Sequence, residues 1–234
     1  MGAGGGFIFV PALLLILEVE PIIAASSGLV IVLINSISGT FGYFKQNRID
    51  YKIGLLISGG ALPGSLLGVW LLQVYTSSYF FIIFATILVL LGIILLIKNI
   101  FFSKFNNYKY ISIERNAILV KCLIPLGVLM GLLSSYLGIG GGWLLVPVLI
   151  YIFKLPPHIA TATSIFSLSI YSFYGVVAQL FYNSIDINIV LWGGIGVILG
   201  SQLGVKLSSY LPGKVIMQLL SIILIGVGIR MYFT

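Results

Sequence analysis

The sequence predicts an all-α polytopic membrane protein made of two homologous repeats, and two observations carry this prediction. Of the 234 residues, 60% are hydrophobic and only 7% are charged. Soluble domains carry roughly 25% charged residues, so this chain cannot cover its outside with a solvated surface, and lipid is its predicted solvent. The chain also aligns with itself, because residues 2–71 match residues 138–207 without a gap. Internal duplication of this kind is typical of secondary transporters.

Each half contains a glycine-rich break followed by a short apolar helix. The breaks are residues 2–6 and 138–142, and the helices that follow are predicted at 7–17 and 143–153. Such a helix rises about 16 Å, roughly half the thickness of the hydrocarbon layer. Consecutive glycines let the backbone leave the helical conformation and approach a ligand closely. Because the positive end of each helix dipole points at its break, we predict that the two breaks form one anion site.

Three predicted transmembrane helices follow each break. They cover residues 22–44, 53–74 and 79–102 in the first half, and residues 159–181, 187–207 and 215–233 in the second half. The first membrane repeat is therefore residues 1–102 and the second is residues 117–234. The hydrophilic segment at 103–116 is predicted to be a basic cytoplasmic linker between them.

The first repeat lacks an opening helix. A helix at residues 117–137 precedes the second break, whereas Met1 alone precedes the first. Either that helix was lost, or the chain is truncated or begins at a later methionine than the natural one. We expect truncation or a later start, because a repeat without this helix has no helix to enclose one side of the site.

The charged loops predict how the repeats are oriented. The basic segments at 45–52 and 103–116 are separated by two spans and so lie on one side, which the positive-inside rule makes cytoplasmic. If each broken helix crosses the membrane once, the repeats are parallel, with seven to eight spans, and Lys154, Lys206 and Lys214 lie outside. If each is a re-entrant hairpin, the repeats are inverted and those lysines lie inside. We predict inverted repeats, because they place more lysines inside and suit the half-length helices; parallel repeats are the alternative.

The candidate substrate-binding residues are the glycines of the breaks and the hydroxyl side chains near them. Backbone N–H groups at a helix N-terminus can hold an anion, and hydroxyls can donate to it. Hydroxyls in membrane helices also bond a carbonyl one turn earlier or a neighbouring helix, which is the structural alternative for each. The candidates are Gly4, Gly5, Gly6, Gly140, Gly141, Gly142, Ser26, Ser27, Ser134, Ser135, Thr161, Thr163 and Ser164.

Other polar residues have more limited predicted roles. Asn35 and Gln179 lie at span depth, where each could donate to an oxyanion or join two helices. Asp50 and Asp186 each immediately precede a helix, so we predict that they cap it. The single cysteine, Cys122, leaves no metal-ligand cluster, and we predict no cofactor.

The doubled Gly-x-Gly-Gly-Gly-aromatic-x-x-Val-Pro motif resembles the sulfite exporter TauE/SafE family of membrane transporters. The run Ala160-Thr161-Ala162-Thr163-Ser164 and the pairs Ile49-Asp50 and Ile185-Asp186, each before a glycine-rich helix, also fit the family. The resemblance covers nearly the whole chain and implies transport of small sulfur-containing anions, such as sulfite or organosulfonates. The chain departs from the family pattern in lacking the first helix. In addition, the first half has the sequence Ala24-Ala25-Ser26-Ser27-Gly28 at the positions where the second half has the Thr163-Ser164 pair.

We therefore predict a secondary transporter of a small anion in the plasma membrane, working by alternating access between its repeats. A passive anion channel is an alternative, because the same glycines could line a pore. A membrane-embedded enzyme is less favoured, since five acidic residues and one histidine offer no catalytic set at membrane depth. The predicted partners are a small inorganic or organic anion and the lipid bilayer, not nucleic acid, and the apolar span at 79–102 could form a homo-oligomer contact. Which anion is carried, in which direction and with which coupling ion stay open.

Overall fold

The computed structural model describes residues 5–75, 79–101, 117–182, 184–208, 210 and 213–232. This part of the chain forms nine α-helices and contains no strand, so the predicted all-α class is confirmed. The helices are α1 (Gly6–Leu15), α2 (Pro21–Phe44), α3 (Tyr51–Val74), α4 (Tyr79–Phe101), α5 (Ala117–Leu137), α6 (Gly142–Tyr151), α7 (Pro157–Leu180), α8 (Ile187–Ser208) and α9 (Gly213–Tyr232). The predicted linker at 103–116 and Gly4 lie outside the described residues.

The helix bounds agree closely with the predicted ones, because local signals set them. Pro21 and Pro157 begin α2 and α7, where the missing N–H of proline has no intrahelical acceptor to lose. Asp50 and Asp186 cap α3 and α8, as predicted. The Asp50 carboxylate accepts a bond from the Ile53 N–H at 3.1 Å, and the Asp186 carboxylate accepts from Asn188 N–H at 2.8 Å.

Two pairs of corresponding helices pack against each other in opposite directions. In the first pair, a Cβ atom added to Gly39 of α2 would lie 3.2 Å from Ile165 of α7, and one added to Gly175 of α7 would lie 2.7 Å from Leu29 of α2. Contacts that advance along one helix while they retreat along the other identify an antiparallel pair. Helices α4 and α9 pack in the same way, with Gly92 beside Ser221 and Ile225, and Gly228 beside Ala85 and Val89.

Two further pairs of helices, each with one helix from each half, pack in parallel. Helix α3 runs parallel to α7, since Ser58 approaches the Ser167 carbonyl and Ser65 donates to the Tyr171 carbonyl at 3.3 Å. Helix α8 runs parallel to α2, since Gly193 meets Ile31 and Ser201 donates to the Ser38 hydroxyl at 2.6 Å. The second long helix of each half therefore packs in parallel against the first long helix of the other half, α3 against α7 and α8 against α2.

The face of α3 that carries glycines is covered by α5, whereas no described residue covers the glycines at the equivalent face of α8. Small residues let two helix backbones touch in a membrane. Cβ atoms added to Gly60, Gly64 and Gly68 would meet the backbone of Ile124, Val128 and Leu132, respectively. Among the described residues, no atom lies within 4 Å of a Cβ atom added to Gly196, Gly200 or Gly204.

The outside of the bundle is apolar, as a lipid-facing surface should be. Phe181 and Trp192 are 83% and 79% exposed, and soluble monomers rarely expose large continuous apolar patches. Four helical segments of the described chain are long and apolar enough to cross a membrane: Pro21–Phe44, Tyr51–Val74, Pro157–Leu180 and Ile187–Gly204. Spans beyond these four stay a prediction.

Candidate functional site

The two glycine-rich breaks meet in the interior of the bundle. A Cβ atom added to Gly6, the first residue of α1, would lie 2.6 Å from the Ile139 carbonyl oxygen in the second break. The Val32 side chain of α2 touches both breaks, since it contacts the Cβ positions of Gly6 and Gly140. The structure therefore brings together the two segments that the prediction of one shared site requires.

The backbone of the breaks depends on glycine. Gly5, Gly138 and Gly140 have φ angles of 75°, 68° and 73°, in the left-handed region that disfavours residues with a side chain. Gly5 and Gly141 are the N-cap residues of α1 and α6, and neither helix has a side-chain cap. The first N–H groups of both helices therefore lie at the breaks without a capping side chain from the N-cap residue itself.

Each break is faced by a polar side chain from the long helix that follows it. A Cβ atom added to Gly5 would lie 3.2 Å from Nδ2 of Asn35, and one added to Gly141 would lie 3.0 Å from the Tyr171 hydroxyl. Asn35 and Tyr171 occupy corresponding positions in the two halves, as do Gly5 and Gly141. The sequence marks Asn35 as a polar residue within a predicted transmembrane helix. It does not mark Tyr171, because an amide and a phenol at matching positions share no sequence pattern.

Several buried polar atoms near the second break have no hydrogen-bond partner in the described part of the chain. They are Oγ of Ser134, Oγ of Ser135, Nε1 of Trp143 and the hydroxyl of Tyr171. All four side chains are fully buried, and leaving such a group unpaired costs about 1–3 kcal/mol. Native proteins pair nearly all their buried polar groups, with ordered water or ions when protein atoms do not serve. Every one of these four atoms belongs to a group that can donate to a ligand.

The other predicted hydroxyls bond within the protein. The Thr161 hydroxyl donates to the Pro157 carbonyl at 2.8 Å, one turn earlier on α7. The Ser164 hydroxyl donates to the Gly142 carbonyl at 3.4 Å, so it lies beside the start of α6. A substrate contact by either residue stays a prediction.

Three more of these hydroxyls lie at the ends of the bundle and join the two halves. Thr163 accepts a bond from the Asp50 N–H at 2.9 Å, and Ser27 accepts one from the Asp186 N–H at 2.9 Å. The Ser26 hydroxyl lies 2.9 Å from the Ser184 hydroxyl. These three hydroxyls therefore have hydrogen-bond partners within the protein and need no ligand to satisfy them. Their role in substrate binding also stays a prediction.

The chain directions place most of the basic residues that the structure describes at one end of the bundle. The contact between Asp50 and Thr163 puts the end of α2 beside the start of α7, and α8 ends there because it runs parallel to α2. We call this the basic end, because it holds Lys45, Arg48, Lys52, Lys154 and Lys206. The contact between Ser27 and Asp186 marks the opposite end, which also holds Glu18 and Glu20 and which we call the acidic end. One basic residue, Arg230, lies there as well, because it is in the last turn of α9, which runs antiparallel to α4.

A groove of about 490 Å³ lies apart from this site, on the outside of α3 and α7. Its lining is apolar and includes Leu62, Leu66, Phe173, Tyr174 and Phe181. None of the predicted substrate-binding residues lines it. The groove therefore belongs to the surface that faces the predicted lipid.

Comparison with known proteins gives a consistent picture over the whole chain. The sequence model of the family described as Sulfite exporter TauE/SafE matches residues 1–231. A probable membrane transporter protein of Bacillus subtilis is 27% identical, with 100% of this chain and 91% of the relative covered. A probable membrane transporter protein of Methanocaldococcus jannaschii is 30% identical, with 98% of this chain and 88% of the relative covered. No solved structure matches the chain significantly.

Proposed function

Because the chain belongs to the sulfite exporter TauE/SafE family of membrane transporters, we propose that it is a secondary transporter of a small sulfur oxyanion, such as sulfite or an organosulfonate. The observation that carries this proposal is the contact, inside the bundle, between the N-terminus of α1 at Gly6 and Ile139 of the second break, three residues before α6 begins at Gly142. The N-cap residue of each of these helices is a glycine. Backbone N–H groups and the positive ends of two helix dipoles attract an anion to such a place. Discontinuous helices bind substrates in this way in other secondary transporters.

The side chains around the breaks also favour an anion. Trp143, Tyr171 and Asn35 present an indole N–H, a phenol and an amide, all of which can donate to an oxygen with negative charge. The four acidic residues that the structure describes are Glu18, Glu20, Asp50 and Asp186, and all of them lie in loops or at helix caps. No carboxylate among these four therefore opposes the anion in the interior.

We further propose that the repeats are inverted and that α1 and α6 are re-entrant. The antiparallel packing of α2 with α7 and of α4 with α9 supports inversion. Helix α1 runs antiparallel to α2, with Gly5 beside Asn35 and Val10 beside Gly28, so it leads from the interior back to the acidic end. The basic end faces the cytoplasm by the positive-inside rule, and transport proceeds as one repeat rocks against the other around the shared site.

The relatives named above are described as transporters and not as enzymes, which favours transport over catalysis. The direct test is uptake of radiolabelled sulfite by proteoliposomes that contain the full chain, with sulfate, thiosulfate and methanesulfonate as competitors. We expect saturable uptake that is accelerated by unlabelled sulfite on the opposite side of the membrane, because exchange of this kind is characteristic of a carrier. Uptake without that acceleration would indicate a channel. If folded protein takes up neither sulfite nor any of the other three anions when each is labelled in turn, the proposal is overturned.

A further inference from the structure

A further group of buried polar side chains surrounds Gly175 of α7, one helical turn beyond Tyr171 towards the acidic end, and it includes Ser135 from beside the second break. A Cβ atom added to Gly175 would lie 2.6 Å from Oγ of Ser135 on α5. Ser172 and Gln179 lie one turn before and one turn after Gly175, so both are on the same face of α7 as that glycine. We call Ser135, Ser172 and Gln179 the Gly175 cluster, and all three side chains are 0% exposed.

The Gly175 cluster has unused hydrogen-bonding capacity. Oγ of Ser135, Oγ of Ser172 and Nε2 of Gln179 have no hydrogen-bond partner among the residues that the structure describes. The two serine hydroxyls do not bond the carbonyl one turn earlier, which is the usual way that a helix satisfies such a group. Three polar atoms without partners on one buried seam call for a ligand or ordered water.

The Gln179 carboxamide is held in one orientation. Its Oε1 accepts bonds from Nε2 of Gln73 at 3.2 Å and from the Ser184 hydroxyl at 3.1 Å. The Ser184 hydroxyl is in turn 2.9 Å from that of Ser26. Because its acceptor is already used, Gln179 can offer only N–H groups to anything that enters the cluster. An oxyanion suits this arrangement, because each of its oxygens can accept a hydrogen bond.

The other half of the chain does not repeat this arrangement. The residues of the first half that correspond to Ser172, Gly175 and Gln179 are Ser36, Gly39 and Tyr43. The Ser36 hydroxyl donates to the Leu33 carbonyl at 3.0 Å, and a phenol replaces the amide at Tyr43. The donor cluster therefore belongs to one side of the bundle, towards the acidic end, and is not a consequence of the duplication.

We propose that the Gly175 cluster is a second oxyanion station, through which the substrate passes between the shared site and the acidic end. This proposal rests on the proposed transport function. Gln179 contacts the substrate through Nε2, and the hydroxyls of Ser135 and Ser172 complete the station. Gln73 and Ser184 are positioning residues, because they act only by fixing the Gln179 amide.

The test uses sulfite as the probe and the full chain in proteoliposomes. Gln179→Glu keeps the size of the side chain but replaces two donors with a negative charge, and Gln179→Leu removes the donors without adding charge. We expect each change to raise the KM for sulfite about tenfold or more, because a hydrogen bond to a charged partner contributes at least that factor. Gln202→Glu is the matched control, since the Gln202 amide donates to the Ser38 carbonyl on the exposed side of α8, and its KM should equal that of the wild type.

A purely structural role for Gln179 predicts something different, namely a lower melting temperature and maximal rate with an unchanged KM. That result, or wild-type kinetics in both Gln179 variants, would overturn the station while leaving the transport function intact. It would mean that ordered water alone occupies the cluster. If the wild-type protein carries no sulfite, the proposed function fails, and the station fails with it.

Discussion

The backbone N–H of Asp50 donates a 2.9 Å hydrogen bond to the hydroxyl of Thr163, and this bond has a counterpart at the other end of the bundle. There the N–H of Asp186 donates to the hydroxyl of Ser27, also at 2.9 Å. Asp186 and Thr163 are the counterparts in the second half of Asp50 and Ser27 in the first. Thr163 of the second half thus bonds the residue before α3, and Ser27 of the first half bonds the residue before α8. These two bonds help to fix the halves against each other.

Replacing the acceptor in one of these bonds should loosen the contact between the halves. Thr163→Val keeps the volume of the side chain but leaves the Asp50 N–H without its acceptor. We expect a loss of about 1–2 kcal/mol in the free energy of unfolding, as for other donors left unpaired. Thr161→Val is the matched control, because that hydroxyl donates to a carbonyl of α7 itself. Thermal unfolding in detergent measures both, and equal losses would contradict this role for Thr163.

The glycine faces of α3 and α8 should respond differently to the same substitution. The Cβ atom that Gly64→Ala adds would overlap the Val128 carbonyl oxygen, so α3 and α5 must separate, at a cost of about 1–3 kcal/mol. Gly200→Ala adds the same atom where no described atom lies within 4 Å, and we expect it to be tolerated. The comparison is made by thermal unfolding, and a loss at Gly200 as large as at Gly64 would show that another helix covers this face of α8.

The Tyr171 hydroxyl should serve the substrate and not the fold. Tyr171→Phe removes a buried hydroxyl that faces the Gly141 backbone, so the free energy of unfolding should fall by no more than about 1.5 kcal/mol, the most that a single neutral hydrogen bond contributes. The KM for sulfite should rise about tenfold or more, since the lost bond is to a charged group. Tyr174→Phe is the control, because Tyr174 lines the outer groove. A Tyr171 variant with an unchanged KM would contradict this assignment.

Inverted repeats place equivalent loops on opposite sides of the membrane. Glu18 and Lys154 occupy corresponding positions in the two halves, and both have a positive φ, 48° and 57°. Starting from a Cys122→Ser background, we expect an impermeant maleimide to label Glu18→Cys but not Lys154→Cys in intact cells. Permeabilised cells, in which both should react, are the control. Labelling of both positions in intact cells would instead favour parallel repeats.

The helices could be predicted from sequence because their signals are local, but the partners of each side chain could not. Pro21, Pro157 and the capping aspartates set helix ends through their own neighbours in the chain. By contrast, Gly64 and Gly200 occupy corresponding positions, and only the packed structure shows that α5 covers Gly64 while no described atom covers Gly200. For the same reason, the pattern that marked Thr163 as a site candidate could not show that it bonds the Asp50 N–H.

The candidate site could also be predicted only in part: its chain segments could be predicted, but their contacts could not. The glycine triplets identified both breaks, because three consecutive glycines have few other uses in an apolar helix. That the breaks meet at Gly6 and Ile139 depends on the antiparallel packing of α2 and α7, which no local pattern encodes. Tyr171 was missed because its counterpart is an asparagine, so the duplication did not mark it.

The central claim is that the two breaks form one anion site, and sulfite flux through a Gly141→Leu variant tests it most directly. The new side chain would enter the space between Gly141, the Tyr171 hydroxyl and the Met130 carbonyl, which lie 3.0 Å and 3.2 Å from the Cβ position. Gly196→Leu is the control, since no described atom lies within 4 Å of its Cβ position. With both proteins shown to be folded, we expect flux to be lost in Gly141→Leu and kept in Gly196→Leu. Wild-type flux in folded Gly141→Leu would contradict the claim and leave the glycines with a packing role.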